Sequence, residues 1–192
     1  MSPPNLHVPV PLDLTVPADA LMAETRTVLS DLLGITAPPL RLFKPRYHGG
    51  KYPSALVPEQ LPLSTFSAST AGLSILDTDT SPGTVTCWFL DVPPDAGGPC
   101  VMAEVDRSKD SLRYAIAAAF TIAVARRVQA PLIIDEEKLW VETDRETEDT
   151  GSRALPLDVF TSRLKAPSES ETLEQATELF VARMNEEPPQ FG

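Results

Sequence analysis

The stretch SKDSLRYAIAAAFTIAVARRVQA, residues 108–130, decides the fold of this 192-residue chain. From Tyr114 to Ala125 only Thr121 is polar, and a helix that is apolar almost all the way round is buried. Its many alanines permit close approach to a sheet on one side and to another helix on the other. The sequence therefore predicts a buried central helix, with the remaining elements arranged around it.

The segment before this helix predicts an antiparallel meander. Apolar residues alternate with a period of two in short runs, and turn-forming Pro, Gly and Asp residues separate the runs. Because the strands follow one another instead of alternating with helices, the predicted class is α+β. We expect a mainly antiparallel sheet of about four to six strands packed on the buried central helix, since single sheets commonly have that size. The three clearest runs are residues 71–78, 84–92 and 100–106.

Amphipathic helices are predicted near both chain ends. Apolar residues at helical spacing indicate a helix over 17–33, with Gly34 at its C-cap. The pattern Ser168-Glu-Ser-Glu171 is typical of a capping box and opens a predicted helix over 168–185. A short strand is expected at 131–134, with LWVE at 139–142 as its possible return.

Twenty prolines mark the edges of the domain. Proline fixes φ and lacks an N–H donor, so residues 1–16 are predicted to form an extended, Pro-rich arm. Residues 17–186 are expected to form a single α+β domain, and 187–192 a frayed tail. The segment from 47 to 68 shows no convincing period and is predicted to be a long loop.

The net charge of −11 narrows the choice of partners. Nucleic-acid binding depends on Lys and Arg that neutralise phosphates, so we expect no nucleic-acid partner, and an anionic membrane surface is excluded on the same ground. An acidic surface attracts basic partners, so a basic protein is one expected partner and self-association the other. The N-terminus lacks the pattern of a signal peptide, which favours a cytoplasmic location.

Two cysteines, Cys87 and Cys100, are present, and both lie in strand-like segments. They show no CxxC or metal-type spacing, and the chain has only two histidines, so no metal and no cofactor is predicted. A disulfide between them is geometrically possible if the two strands pair. A reducing compartment favours free thiols, which act as small apolar groups when buried.

The most unusual short stretch is RYHGGKYP, residues 46–53. It concentrates positive charge and aromatic rings around a Gly-Gly pair, the most rotatable backbone in the chain. Without a nucleophile, a second histidine or a metal ligand beside it, catalysis is not expected there. We predict a mobile contact loop whose binding residues are Arg46, Tyr47, His48, Lys51 and Tyr52.

The sequence DTDT, residues 77–80, follows a hydrophobic strand and resembles the first motif of haloacid-dehalogenase-type phosphotransferases. That resemblance implies a catalytic pair in which Asp77 is the nucleophile and Asp79 the acid/base, with magnesium nearby. The family has a loop and a helix after the motif, whereas here a turn leads directly into the strand 84–92. The alternative interpretation is an ordinary β-turn.

The helix 108–130, followed by PLIIDEE and Trp140, is similar to the C-terminal part of small uncharacterised bacterial α+β proteins. Some of those proteins look like immunity proteins for secreted toxins. The resemblance implies an acidic inhibitor of a basic partner, which is physically sensible because complementary charge speeds association.

Three functions are therefore expected from different classes. The first is a non-catalytic binding or regulatory module that uses the acidic surface and the contact loop. The second is a small magnesium-dependent phosphohydrolase that uses Asp77 and Asp79. The third is a structural subunit that self-associates through the outer face of helix 17–33 or 168–185.

Overall fold

The computed structural model describes residues 5–44, 61–67, 73–78, 85–90, 98–105, 111–135, 153–165 and 170–184. The expected strand 139–142, the tail and the contact loop lie outside these ranges. The helices and strands follow one another along the chain as β1 (Asn5–Pro9), β2 (Thr15–Pro17), α1 (Ala18–Leu33), β3 (Leu40–Lys44), β4 (Leu61–Pro62), β5 (Thr65–Ser67), β6 (Leu73–Thr78), β7 (Val85–Leu90), β8 (Cys100–Val105), α2 (Ser111–Val128), β9 (Leu132–Asp135), β10 (Arg153–Pro156), α3 (Leu157–Leu164) and α4 (Leu173–Met184).

The central helix α2 is buried as predicted. Every residue from Ala115 to Ala125 is at most 2% exposed. The one polar residue in that stretch, Thr121, donates its hydroxyl to the Ala117 carbonyl at 2.8 Å, so its burial leaves no polar group unsatisfied. Phe120 packs edge-to-face on Phe66 of β5 with ring centroids 6.0 Å apart. The helix contacts α1, α3 and α4 as well as the sheet.

The α+β class and the antiparallel meander β6–β7–β8 are confirmed. The main sheet has eight strands in the order β10-β9-β1-β8-β7-β6-β3-β4, and each pairing between described strands is antiparallel. Strand β1 lies between β8 and β9, and α2 connects these two strands across it. The sheet is therefore wider than the consecutive strands alone would make it.

The N-terminal segment differs from the arm expected over residues 1–16. Residues Asn5–Pro9 are extended, but they form a strand inside the sheet that pairs with β8 on one side and β9 on the other. Leu6 and Val8 are fully buried. Proline has no N–H to donate, but Pro9 ends the strand and pairs with β8 alone, so the missing donor lies outside the residues that pair on both sides. The prediction of a separate arm was wrong for this segment.

The two faces of the sheet have different environments. On the first, apolar side chains in register across the strands join the residues of α1 and α2 in one core cluster. We call this the helix face, and its strand residues include Leu6, Val8, Leu42, Leu76, Val85, Cys87, Ala103, Val105, Ile133 and Leu155. The residues that alternate with them define the opposite face, which includes Asn5, His7, Thr86, Cys100, Met102, Glu104 and Ile134.

The helix ends show which local signals operate. Gly34 caps α1 in the left-handed conformation, with φ 70°, as predicted. The capping box expected at Ser168–Glu171 begins outside the described residues, and a second motif of the same kind lies at Thr172–Gln175. Thr172 accepts a hydrogen bond from the Gln175 N–H at 3.2 Å, and the Gln175 side chain accepts one from the Glu171 N–H, also at 3.2 Å. The Ser/Thr-x-x-Glu/Gln pair that operates here thus begins four residues after Ser168, and its Gln175 side chain binds the N–H of Glu171 and not that of Thr172.

The two cysteines are both free. Although β7 and β8 pair, Cys87 is opposite Ala103 and Cys100 is opposite Leu90, so their side chains lie on different faces of the sheet. The disulfide that the sequence left open is therefore excluded. Among the helices that the structure describes, none is both long enough and apolar enough to cross a membrane.

Candidate functional site

The structure describes only some of the site residues that the sequence predicts. Arg46, Tyr47, His48, Lys51 and Tyr52 lie outside the described ranges, and so does Asp79. The backbone of Asp77 is in β6, in register with Arg41 of β3.

The strand order bears on the resemblance to haloacid-dehalogenase-type enzymes. That resemblance implies a helix after the motif, yet β7 begins at Val85 and pairs antiparallel with β6. Only six residues, 79–84, separate the two strands in sequence, fewer than the roughly 11 residues of an average helix. The setting of Asp77 therefore departs from the arrangement that the family resemblance implies.

The described residues instead form an open groove between α1 and β3. Its volume is about 360 Å³, which is within the size range of small-ligand sites. Apolar side chains form most of its lining, and two charged residues of α1 join them. We call this site the α1–β3 groove, and it is lined by Ala18, Asp19, Met22, Ala23, Arg26, Leu63 and residues 39–42.

The end of the groove near the start of α1 is fixed by backbone hydrogen bonds. The N–H of Leu63 donates to the Leu42 carbonyl at 2.9 Å, which attaches this segment to β3. The next residue, Ser64, accepts a hydrogen bond from the Ala18 N–H at 3.0 Å. Residues 63–64 therefore bridge the strand and the first turn of the helix, so the two walls cannot separate freely at this end.

The other end is held by side chains of α1. Arg26 donates from Nε to the Ala37 carbonyl at 2.8 Å. The Ser30 hydroxyl accepts from the Ala37 N–H at 3.0 Å and donates to the Arg26 carbonyl at 2.9 Å. Both backbone groups of Ala37 are thus bound to the helix. These contacts also orient the Arg26 guanidinium, because its Nε–H is directed at the Ala37 carbonyl.

The groove is lined by one carboxylate and two guanidinium groups, those of Asp19 and Arg26 on α1 and of Arg41 on β3. Asp19 and Arg26 are seven residues apart on α1, which corresponds to about 10 Å along a helix. The Asp19 carboxylate accepts a hydrogen bond from the Ala20 N–H at 2.8 Å. A ligand along the groove would meet a carboxylate first, then apolar side chains such as Met22 and Leu40, and then a guanidinium.

The sequence contains a signal for this groove. Arg26 is the only Lys or Arg before Arg41, in a chain whose net charge is −11. An isolated basic residue on an amphipathic helix is compatible with a solvated surface, so the signal does not identify a site alone. The groove depends on contacts between α1, β3 and residues 63–64, which are distant in sequence.

A second cluster of polar side chains lies on the opposite face of the sheet. His7, which is 2% exposed, has its Nε2 at 3.1 Å from the Asn5 Oδ1 and its Nδ1 at 3.6 Å from the Cys100 Sγ. We call these three residues the Asn5–His7–Cys100 row. The sequence predicts His7 in an extended arm, so it does not predict this contact between a histidine and a cysteine.

The period-two pattern of the N-terminal segment could have indicated the row. In NLHVPV, Asn5 and His7 alternate with Leu6 and Val8, which is typical of a strand with two different faces. The partner strand could not have been identified in this way. Cys100 is 93 residues from His7 in sequence, and only the register of β1 on β8 brings them together.

The helix face contains a thiol of a different kind. Burial raises the pKa of the Cys87 thiol far above its ordinary value of 9.0. In the parts of the chain that the structure describes, no three His, Cys, Asp or Glu side chains are close enough together to hold a metal ion.

Comparisons with known proteins add no relationship. No protein-family model, no curated protein and no solved structure matches this chain.

Proposed function

We propose that the chain is a non-catalytic binding module that takes an extended segment of a basic protein partner into the α1–β3 groove. The observation that carries this proposal is the groove itself, with its apolar lining and its opposed charges at Asp19 and Arg26. Ligand sites are typically concave and mostly apolar, with a few polar groups that set orientation.

The fixed walls support binding without rearrangement. Residues 63–64 are hydrogen-bonded to both walls, and Ala37 is bound through both of its backbone groups. A site whose shape is held in advance loses less conformational entropy on binding. A partner segment would therefore find the groove already formed.

The spacing of the charges supports an extended occupant. An extended chain rises about 3.3 Å per residue, so the roughly 10 Å between Asp19 and Arg26 corresponds to about three residues. The occupant would place a Lys or Arg at Asp19 and an Asp or Glu at Arg26, with apolar residues between them. Carboxylates pair well with the planar guanidinium of arginine.

The net charge of −11 supports a partner that is basic overall. Long-range attraction between opposite charges raises the association rate, and the charges in the groove would then select the segment. If the resemblance of residues 108–140 to immunity-type proteins that the sequence suggests holds, the partner would be a basic toxin. In this proposal Arg46, Tyr47, His48, Lys51 and Tyr52, which follow β3 in the chain, add contacts beyond the groove.

Self-association receives less support. Of the described residues, the large apolar side chains that are exposed lie on four different segments; none is on α1, and one, Leu179, is on α4. They are Leu12, Leu132, Val159 and Leu179. We also propose a cytoplasmic location, which the two free thiols support because reduced cysteines are usual there.

The test is a selection of seven-residue peptides from a random phage-displayed library on the immobilised protein. We expect enriched sequences with an acidic and a basic residue about three positions apart and apolar residues between them. A synthetic peptide of the enriched sequence should lose about tenfold or more in affinity for Arg26→Gln, because a hydrogen bond to a charged group contributes about 1.5–3 kcal/mol. Calorimetry measures the affinity.

Matched controls separate binding from folding. Ala23→Trp should block the groove sterically, whereas Ala182→Trp, at an exposed alanine of α4, should not affect binding. Arg126→Gln removes a positive charge from the exposed end of α2 and should also be neutral. If no peptide is enriched over an unrelated acidic protein, or if Ala23→Trp binds as well as the wild type, the proposal is wrong.

A further inference from the structure

The Asn5–His7–Cys100 row lies outside the α1–β3 groove and has no role in the binding proposed above. All three side chains belong to adjacent strands, β1 and β8, near the middle of the sheet. Asn5 is 7% exposed, His7 is 2% and Cys100 is 0%. Cys100 is buried, yet it does not belong to the apolar cluster that includes Cys87.

The hydrogen bonds of His7 define where its protons can be. The Oδ1 atom of Asn5 can only accept, so the Nε2 of His7 at 3.1 Å carries a hydrogen. The Nδ1 therefore presents its lone pair to Cys100 when the ring is neutral, at 3.6 Å from the sulfur. A proton between these two atoms can reside on sulfur or on nitrogen, and in the second case the products are a thiolate and an imidazolium.

A thiolate beside a histidine is the reactive form of cysteine. The thiolate is the nucleophile in cysteine chemistry, and a neighbouring imidazolium stabilises it. An amide oxygen on the far ring nitrogen holds the imidazole in the orientation that this transfer needs. The same three residue types, with the same roles, activate the nucleophile of papain-like proteases on an unrelated fold.

Two carboxylates, those of Glu104 and Asp135, belong to the strands around the row. Glu104 of β8 is in register with Asn5 and shares the opposite face, half-buried. Asp135 of β9 is buried and in register with Leu6, which places it on the helix face. His7 contacts the Cys100 sulfur at 3.6 Å, whereas Glu104 lies farther along the same face and Asp135 belongs to the other face.

The position of Cys100 at the start of β8 limits what can reach it. Its sulfur is fully buried, so large reagents are excluded. Its neighbour across the strands, Pro9, is exposed, and the space beside Gly98 is open. A reagent as small as hydrogen peroxide would approach the sulfur from this strand end.

We propose that Cys100 is a peroxide-reactive thiol that His7 activates and Asn5 positions. The thiolate sulfur attacks one oxygen of hydrogen peroxide, the O–O bond breaks, and hydroxide leaves with the electron pair. The imidazolium of His7 returns the proton to that hydroxide as water. The net change is Cys100–SH plus H₂O₂ to Cys100–SOH plus H₂O, with sulfur oxidised and peroxide reduced.

The oxidised sulfur has no resolving cysteine within the chain. Cys87 is the only other cysteine, and it lies on the helix face, on the far side of the sheet. The sulfenic acid would therefore be reduced by a small external thiol such as glutathione. A polar –SOH in place of a buried thiol would also perturb the contacts of β8 with β1.

The experiment exposes the folded protein to hydrogen peroxide, traps sulfenic acid with dimedone and quantifies labelling at each cysteine by peptide mass spectrometry. Cys100 should label at least about tenfold faster than in His7→Gln, since loss of the imidazole removes the base that forms the thiolate. In the wild type the rate at Cys100 should persist to lower pH than in His7→Gln. Met102→Leu, which alters a neighbour in register with His7, should leave the rate unchanged.

A purely structural role for His7 predicts a different result. Cys100 and Cys87 of the wild type would then label at the same slow rate, set by unfolding, and mild urea would accelerate both equally. His7→Gln would raise labelling by destabilising the fold instead of lowering it. Either outcome overturns the proposal, and the wild-type comparison remains decisive if His7→Gln does not fold.

Discussion

The two faces of the sheet each bury one cysteine, and the two thiols have different surroundings. Cys87 lies on the helix face among apolar side chains, 1% exposed, and its burial holds the thiol protonated. Cys100 lies on the opposite face, 0% exposed, with the Nδ1 of His7 at 3.6 Å. Burial alone therefore does not determine what a cysteine can do, because the neighbouring groups decide which protonation state is accessible.

The two faces of the sheet also differ in the side chains that they carry. The helix face holds apolar residues of the strands and of α1 and α2 in one cluster, which is the arrangement that stabilises the fold. The opposite face carries a hydrogen-bonded polar row between central strands. The α1–β3 groove lies between α1 and β3, near the edge of the sheet that β4 forms. The groove shares Ala18, Met22, Leu40 and Leu42 with the apolar core, whereas the polar row lies on the other face of the sheet.

The largest expected effect lies on the helix face. Phe120→Ala removes a fully buried ring that packs on Phe66, and it should lower the free energy of unfolding by about 3–5 kcal/mol. Urea denaturation measures this change. Leu132→Ala, at a residue 39% exposed, is the control and should cost far less. Equal losses for the two variants would show that the helix face is not the dominant source of stability.

The next effect tests the opposite face. Asn5→Ala removes the acceptor of the His7 Nε2–H, and an unsatisfied buried polar group costs about 1–3 kcal/mol. The same denaturation experiment measures the loss. Peroxide labelling at Cys100 should slow as well, because the imidazole is no longer held in place. A variant as stable as the wild type would indicate that the row contributes nothing to folding.

The pH dependence distinguishes Cys87 from an ordinary thiol. The folded protein keeps this thiol protonated, whereas the unfolded chain releases the proton near pH 9, so above that pH the unfolded state binds fewer protons. Stability should therefore fall as pH rises, with a contribution from Cys87 approaching about 1.4 kcal/mol per pH unit.

Cys87→Ala isolates this contribution. The free energy of unfolding, measured by urea at pH 8 and at pH 10, should fall less in the variant than in the wild type. Other groups titrate in the same range but are common to both proteins, so they cancel in the difference. Parallel pH dependences would mean that Cys87 is not held protonated in the core.

The smallest effect concerns the surface of the helical layer. Arg127 of α2 contacts Glu24 of α1 through an N–O distance of 2.7 Å and donates to the Ala20 carbonyl at 3.1 Å. Both side chains of the ion pair are about 30% exposed, so Glu24→Gln should cost only about 0.2–1 kcal/mol. The difference in Tm from the wild type should shrink in high salt, and a salt-independent loss would point to packing instead.

Periodicity predicted the local elements well. The buried stretch of α2, the C-cap at Gly34 and the meander β6–β7–β8 all follow from patterns within short windows of sequence. These features depend on neighbouring residues, so the sequence states them directly. The same reasoning placed a capping box at Ser168, and Thr172, four residues later, also begins an acceptable motif, which the structure shows hydrogen-bonded.

Long-range pairing could not be predicted in this way. The prolines predicted an extended arm near the N-terminus, yet Asn5–Pro9 form a strand between β8 and β9. The contact of His7 with Cys100 depends on that pairing, and so does the separation of Cys100 from Cys87. Arg26 belongs to the groove only because residues 34–39 fold back onto α1.

The most direct test of the difference between the faces is one measurement on one sample. The folded wild-type protein is treated with hydrogen peroxide and dimedone, and the labelled fractions of Cys100 and Cys87 are compared over time. We predict a ratio of initial rates of about ten or more in favour of Cys100, because His7 lies beside that thiol whereas burial holds the Cys87 thiol protonated. Equal rates at the two cysteines would contradict the account.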